Sequence, residues 1–325
     1  MGLKFYLFIL FIFNTSFLLA QDSIPEIQYD AETEYIHMFP NRITVRMFYV
    51  NTDNELTVKD RNSDLYYNLV PNKQENIGAS VAFRSISISY SIAPNFLAEN
   101  KDNDDSKLFN LGLRTYFGKH WMQSLELYSA KGFYVSDADF DFYFPNIKSF
   151  KIGGATSFIM NENFSFRAIV TQDEKQLKSV GSFIPRIFYY YSKFSITDDN
   201  IDSDNYSYDI ALAPAYYYNF VPTKNLFFSA GVSAGLGVNY SKSDEESLTS
   251  LLTELNFRGS ATYDINDFYL GAHYNYLILN HNSDSSSYIK DGIPYLQFFL
   301  GYRFKAPQKL VRKADKINEK LKLKS

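Results

Sequence analysis

The sequence predicts an all-β chain, a transmembrane antiparallel up-and-down β-barrel of about 12 strands, with about 10 to 14 open, and a short basic helix or tail behind it. Three observations lead there. Aromatic residues make up 18% of the chain, with 27 Tyr and 30 Phe against one Trp. Strands favour such residues, and membrane barrels also place them in girdles at both interfaces. Mean hydropathy is only -0.25. A membrane-crossing chain so polar on average must cross with strands that are apolar on one face alone. The third observation is strict alternation of apolar and polar residues, repeated along the chain.

The N-terminus sets the compartment. Residues 1–20 carry one early cation, Lys4, then an apolar run that ends Leu18-Leu19-Ala20 before Gln21. A small residue closing such a run reads as a signal peptide cleaved after Ala20. The run is interrupted by Asn14, Thr15 and Ser16 and is short for a spanning helix. The chain has no cysteine, which excludes a lipoprotein acyl acceptor, disulfides, thiol nucleophiles and cysteine-held metals. Residues 21–41 then read as a periplasmic segment, 42–305 as the barrel and 306–325 as a basic periplasmic tail. The expected location is the outer membrane of a Gram-negative bacterium, with outer-membrane lipid as a partner. A net charge of -4, from 32 basic and 36 acidic residues, argues against nucleic-acid binding, which wants a strongly basic surface.

The strands follow in order. Ile86, Ile88, Tyr90 and Ile92 alternate with serines, and Leu111, Leu113, Thr115 and Phe117 with Asn110, Gly112, Arg114 and Tyr116. Phe164, Phe166, Ala168 and Val170 alternate with Ser165, Arg167, Ile169 and Thr171. From Phe228 to Tyr240 the apolar face opposes Ser229, Gly231, Ser233, Gly235, Gly237 and Asn239. Leu255, Phe257 and Tyr263 oppose Glu254, Asn256 and Arg258, and Leu296, Phe298, Leu300, Tyr302 and Phe304 oppose Gln297 and Arg303. Several runs reach the roughly 9 to 11 residues of a tilted membrane strand.

Connections alternate too. Residues 118–120, 161–163, 222–225 and 264–267 are short, whereas 95–107, 136–146, 197–205 and 281–291 are longer and polar. Short turns belong to the periplasmic side and long loops to the outside. The count has one conflict. Both Gln172–Val180 and Thr197–Asn205 come out on the outer side with a single strand between them, and Pro185 in that strand marks a bulge or a misplaced boundary. Between Asn51 and Asn76 the alternation is unclear.

Three blocks carry a resemblance: FPNRITVRMFYV (Phe39 to Val50), YNLVPNKQENIGASVAF (Tyr67 to Phe83) and NFSFRAIVTQDEKQLKSVGSFI (Asn163 to Ile184). The chain resembles an uncharacterised Bacteroidota outer-membrane family, domain of unknown function 4421, over most of its length. The resemblance implies location and fold and carries no activity. Tyr302-Arg303-Phe304 is similar to the aromatic signal read by the barrel-assembly machinery, although here the chain runs on. In that extension seven Lys or Arg accompany Leu310, Ala314, Ile317 and Leu321 at helical spacing. They suit a solvated tail, or a helix at the barrel mouth or on inner-leaflet headgroups.

Candidate chemistry is sparse. His273 and Asn275 share a face, and Ser260 on the preceding strand could complete a phospholipase-like Ser, His and Asn set. The apolar partner face of that strand turns His273 and Asn275 into the lumen, whereas such a lipase works towards lipid, so the expectation is a polar lumen-lining pair and no catalysis. No phosphate-loop, dinucleotide or zinc-protease motif occurs, and no cofactor is expected. Asp102, Asp104, Asp105, Asp198, Asp199, Asp202 and Asp204 could hold Ca²⁺ through oxygen, but read more simply as hydrated loops.

The expected lumen residues are Arg46, Arg84, Arg114, Arg167, Arg258 and Arg303 on the polar faces of their strands, with Glu126, Glu254, His273 and Asn275. Two glutamates cannot neutralise six arginines, and Glu254 and Arg258, about 13 Å apart along one strand, cannot pair directly. The charges either cross-pair in a packed, scaffold-like interior or line a narrow, net-positive pore that favours anions. A barrel binding through its outer loops is a further alternative, and an outer-membrane lipid hydrolase another. N-terminal sequencing of membrane-extracted protein should begin at Gln21; retention of Met1 would refute the leader.

Overall fold

The computed structural model describes residues 27–320, apart from 53–54, 61–65, 73–74, 98–105, 138–139, 199–200, 244–246 and 283–286. The leader and Gln21 therefore lie outside the described residues, as do Asp102, Asp104 and Asp105. Two short strands, β1 (Ala31–Glu32) and β2 (Ile36–Met38), precede the wall. The wall begins with β3 (Arg42–Thr52) and β4 (Glu55–Asp60), and returns through β5 (Tyr66–Pro71) and β6 (Glu75–Phe83). It continues through β7 (Ile86–Ile92), β8 (Lys107–Phe117), β9 (Trp121–Asp137) and β10 (Phe140–Phe158). Helix α1 (Arg167–Val170) and β11 (Glu174–Gln176) interrupt it. The second half comprises β12 (Val180–Ile184), β13 (Arg186–Asp198), β14 (Ile201–Leu212), β15 (Ala215–Phe220), β16 (Leu226–Lys242), β17 (Ser247–Ile265), β18 (Phe268–Asn282) and β19 (Ser287–Lys305), followed by helix α2 (Gln308–Lys320).

Hydrogen bonding runs β3-β6-β7-β8-β9-β10-β13-β14-β16-β17-β18-β19 and closes β19 onto β3, an antiparallel ring of 12 strands. The seam pairs Arg42 with Lys305, so both chain ends leave from one end of the barrel, here called the base; the opposite end is the rim. Strands β12 and β15 prolong β13 and β14 towards the base and pair with each other. The breaks fall at Pro185 and Pro214, since proline has no N–H to give the ladder. Near the rim β5 pairs with β4 and β9, so that hairpin passes over the shorter β7–β8 pair. This detour is the stretch between Asn51 and Asn76 that shows no clear alternation.

The outer face carries the apolar residues. Met47, Ile88, Leu236, Ile210, Leu251, Phe298 and Leu300 are all more than half exposed. Aromatic residues gather at two levels: Trp121, Phe220, Phe228, Phe268, Tyr302 and Phe304 near the base, and Tyr191, Tyr206, Tyr208 and Tyr240 towards the rim. Along β16, Phe228 to Tyr240 spans about 40 Å at 3.3 Å per residue, or about 30 Å of height at a 40° tilt, close to a bilayer core. Among the described residues no helix is long and apolar enough to cross a membrane.

Several polar stretches read as outer loops are strand. β13 and β14 pair up to Asp198 and Ile201, and β18 and β19 up to Asn282 and Tyr288. The ladder extends past the lipid belt because a polar strand in water still satisfies its backbone.

The strand expected at Phe164–Thr171 does not exist. Residues 159–179 leave β10 at the base and fold into the lumen as a plug. Its alternating pattern arises because Phe164, Phe166, Ala168 and Ile169 are all buried, against Tyr116, Met122, Ile184, Ala215, Tyr217 and Phe227 of the wall. Removing this false strand places Gln172–Val180 at the base and resolves the conflict in the count. Arg167 accordingly projects from α1, not from a strand. Thr171 and Gln172 both donate to the Arg167 carbonyl, and Gln172 takes φ 59° as the helix terminates.

Specific bonds hold the plug. Arg303 donates to the Gln172 carbonyl at 2.7 Å and Arg46 to the Val170 carbonyl at 2.9 Å. Asn219 donates to the Ser165 carbonyl and to Gln176 Oε1, both at 3.0 Å. From the base side, β11 pairs with β2 in a three-stranded sheet, so residues 31–38 clamp the plug. Arg167 pairs with Asp173 and lies over Tyr116 at 5.1 Å. Burial pushes Glu174 up, against the downward pull of Arg167.

Helix α2 docks across the base. Ala306 bonds to the Asn41 carbonyl, Arg84 pairs with Asp315 at 2.5 Å, and Val311 is buried. Leu310 and Ile317, at helical spacing on one face, are exposed.

Two outcomes follow. Leu236→Arg, on the lipid face midway between the aromatic levels, should destabilise the barrel by about 2–4 kcal/mol in vesicle-based unfolding titrations. Asp173→Asn strips the half-buried Arg167 of its closest counter-charge and should cost about 2–3 kcal/mol. Hydrogen exchange should then quicken in residues 164–178 while the wall strands keep their protection.

Candidate functional site

Above the plug lies a cavity of about 430 Å³, floored by Val170 and lined mainly by β3, β7, β8, β9, β10, β13, β17, β18 and β19. It occupies the lumen at the level of the lipid belt. Its wall holds Arg46, Arg114, Arg258, Lys151, Glu126, His273 and Asn275, with Ser87, Ser89, Ser91 and Asn110 between them. Phe133 and Phe194, in T-shaped contact at 5.8 Å, stand towards the rim.

Local geometry fixes each cation. Arg46 points inward because β3 turns Arg42, Thr44, Arg46, Phe48 and Val50 to the lumen and Met47 to lipid. Its Nε donates to Ser80 at 3.2 Å, and its Nη1 lies 3.3 Å from His273 Nε2. The guanidinium sits over Phe299 at 5.2 Å, and His273 stacks on the same ring at 4.6 Å. Phe48 leans over Gly78, where a Cβ would meet the ring at 2.5 Å, so glycine is required opposite it. Arg258 Nε reaches Asn275 Oδ1 at 3.4 Å, and its guanidinium faces Phe166 of the plug at 6.0 Å. Arg114 stands 4.0 Å from Glu126, which also accepts from Tyr190 at 3.3 Å; Lys151 lies over the Tyr190 ring at 4.9 Å.

The other expected lumen residues belong elsewhere. Arg84 is in the turn between β6 and β7 with φ 54°, at the base and not on a strand face. Arg167 is on the plug. Arg303 points inward at the base, where it pairs with Asp264 at 2.7 Å and lies between Phe39 and Tyr269, each 4.5 Å away. Glu254 faces inward but is bound by Arg186 and Ser233. The balance of six arginines against two glutamates therefore omitted groups that matter. Asp173, Glu174, Asp264 and Asp315 neutralise the base, and Arg42 and Arg186 join the cations. Arg186 follows Pro185, the point at which the alternation loses phase, and Asp264 falls in a stretch of turn composition although β17 runs to Ile265.

Ser260 and His273 are directly opposed on β17 and β18. No hydrogen bond links them: Ser260 Oγ has no partner, and the His273 Nε2 faces Arg46. Asn275 serves Arg258. The three residues thus belong to two separate contacts and form no relay. No cluster of potential metal ligands occurs among the described residues.

No curated protein matches the chain. Among solved structures it is similar to the outer membrane protease OmpT from Escherichia coli, at 6% identity, covering 82% of this chain and 98% of that one, with a TM-score of 0.37. It is similar to the translocator domain of the autotransporter NalP from Neisseria meningitidis at 10% identity, covering 81% and 89%, with a TM-score of 0.39. An outer membrane channel from Pseudomonas putida F1 matches at 8% identity over 86% and 100%, with a TM-score of 0.36. Likeness at this level lends no activity to this chain. The family comparison is direct: residues 28–304 match the model described as Domain of unknown function (DUF4421), and the chain belongs to that family.

Proposed function

We propose that this protein is an integral barrel of the bacterial outer membrane whose lumen is a cationic chamber closed at its base by its own plug. The observation that carries this is the pair of wall-to-plug bonds from Arg46 and Arg303 to the carbonyls of Val170 and Gln172. Anchored main chain across the base turns a passage into a cup. The apolar belt between two aromatic levels supports insertion among outer-membrane lipids, and the leader read at residues 1–20 supports export and assembly there by the barrel machinery. With both chain ends at the base, α2 and the plug face the periplasm. The barrel is a narrow scaffold with little steady conductance, and it passes small solutes with anion preference only where the plug yields. Ser260 and His273 give a lipid hydrolase no relay to work with.

A second reading has its own support. β9, β10, β17 and β19 run for 17 to 19 residues, well past the lipid belt at the rim. Such extensions would present a binding surface outside the cell.

Planar-bilayer recording separates these. The intact protein should show small or no conductance. Replacing residues 162–178 with a short Gly–Ser linker should open an anion-preferring channel, and Arg258→Glu in that background should reduce the preference. Large cation-selective currents from the intact protein would refute the reading.

A further inference from the structure

The cations of the interior fall into two groups. Arg42, Arg84, Arg167, Arg186 and Arg303 each contact a carboxylate: Asp30, Asp315, Asp173, Glu254 and Asp264 respectively. Arg46 and Arg258 have no carboxylate within ion-pair distance among the described residues, and Arg114 has only Glu126, at 4.0 Å. These three, with Lys151, line one cavity. The three guanidiniums thus share a single carboxylate, Glu126, in a partly dehydrated space.

The distribution has a physical meaning. A guanidinium removed from bulk water needs a counter-charge or retained water. Everywhere else in this lumen the chain provides the counter-charge, and here it does not. Neutral groups fill the remaining polar positions: β7 turns three serines inward, and Asn275 holds Arg258 by Nε, leaving its two Nη groups for a ligand. Arg46 is held by Ser80, Val170 and His273 through Nε and Nη1, which leaves Nη2. Arg258 on β17 and Arg114 on β8 stand six strands apart in the ring of 12, on opposite walls. A group between them meets planar donors from both sides, the arrangement that favours oxyanions bound through two oxygens.

We propose that the chamber is a binding site for a small polyvalent oxyanion, of the phosphate-ester or polycarboxylate kind, entered from the rim past Phe133 and Phe194. This inference rests on the reading of the lumen as a plugged chamber. Valence follows from the count: three guanidiniums against one carboxylate leave two positive charges, and a monoanion would balance only one of them. Size follows from the cavity, about 430 Å³, which is at the small end of ligand pockets and excludes a polymer.

Calorimetric titration of the detergent-solubilised full-length protein at low salt tests it, with inorganic pyrophosphate and citrate as separate probes and chloride as control. At least one probe should bind saturably, one per barrel, and more weakly as salt rises. Arg258→Gln and Arg114→Gln should each weaken that binding about tenfold or more, and Glu126→Gln should tighten it. Folding of each variant is checked by heat-modifiable migration, and Glu126→Gln keeps the test alive where an arginine variant fails to fold. Absence of saturable binding by both probes, or affinity unchanged in all folded variants, overturns the site. That result with a non-conducting intact barrel would leave the plugged chamber standing, whereas an open intact channel would remove the chamber itself.

Discussion

Closure of the sheet governs everything else in this protein. A strand in lipid cannot leave an N–H or C=O unpaired, so the first long strand must meet the last, as β3 meets β19 from Arg42–Lys305 to Thr52–Tyr295. Closing with 12 strands fixes an interior wider than inward side chains can fill by themselves, since about eight strands is the size that packs shut. Something must occupy the difference. Near the base it is the chain itself, as residues 159–179 bury Phe164, Phe166 and Ile169 against the inner wall. Above the plug the difference remains as a cavity.

Electrostatics divide along the same line. Below the chamber Arg42, Arg84, Arg167, Arg186 and Arg303 each meet an acid, because the packed plug excludes the water that would otherwise screen them. Arg303, essentially without exposure, is held by Asp264, two rings and a plug carbonyl together. Around the cavity the arginines rest on rings and neutral acceptors, which hold a guanidinium in place without cancelling its charge. Arg46 belongs to both regions, since one of its nitrogens fastens Val170 while its neighbours face the chamber. It is the residue through which the contents of the chamber and the seating of the plug can act on each other.

Most of the wall was legible in the residues because period two is a local property. The apolar faces of β7, β8, β16, β17 and β19 can each be read from four to seven alternating side chains, and the aromatic bias marks the membrane interfaces. The same rule misled at Phe164 to Val170, where a plug buried on several sides produces a run that looks like a strand. Long polar ladder segments such as those meeting at Thr197 and Asp202 look like loops in the sequence, because polarity on both faces is indistinguishable from loop composition when only the sequence is in view.

The sequence by itself determined the class: an all-β wall, apolar outside and polar inside, with inward Arg46, Arg114, Arg258 and His273 set by alternation alone. Only the tertiary structure decided which charges meet. Pairing across a barrel depends on strand register and on a plug that enters from elsewhere in the chain, and neither leaves a local trace. Arg167 with Asp173 is a plug contact, Glu254 belongs to Arg186, and Arg303 reaches Asp264 only because β17 and β19 converge at the base. The three arginines left without a close partner are therefore a property of the closed ring, since each is unremarkable on its own strand and their charge accumulates only where the walls face one another.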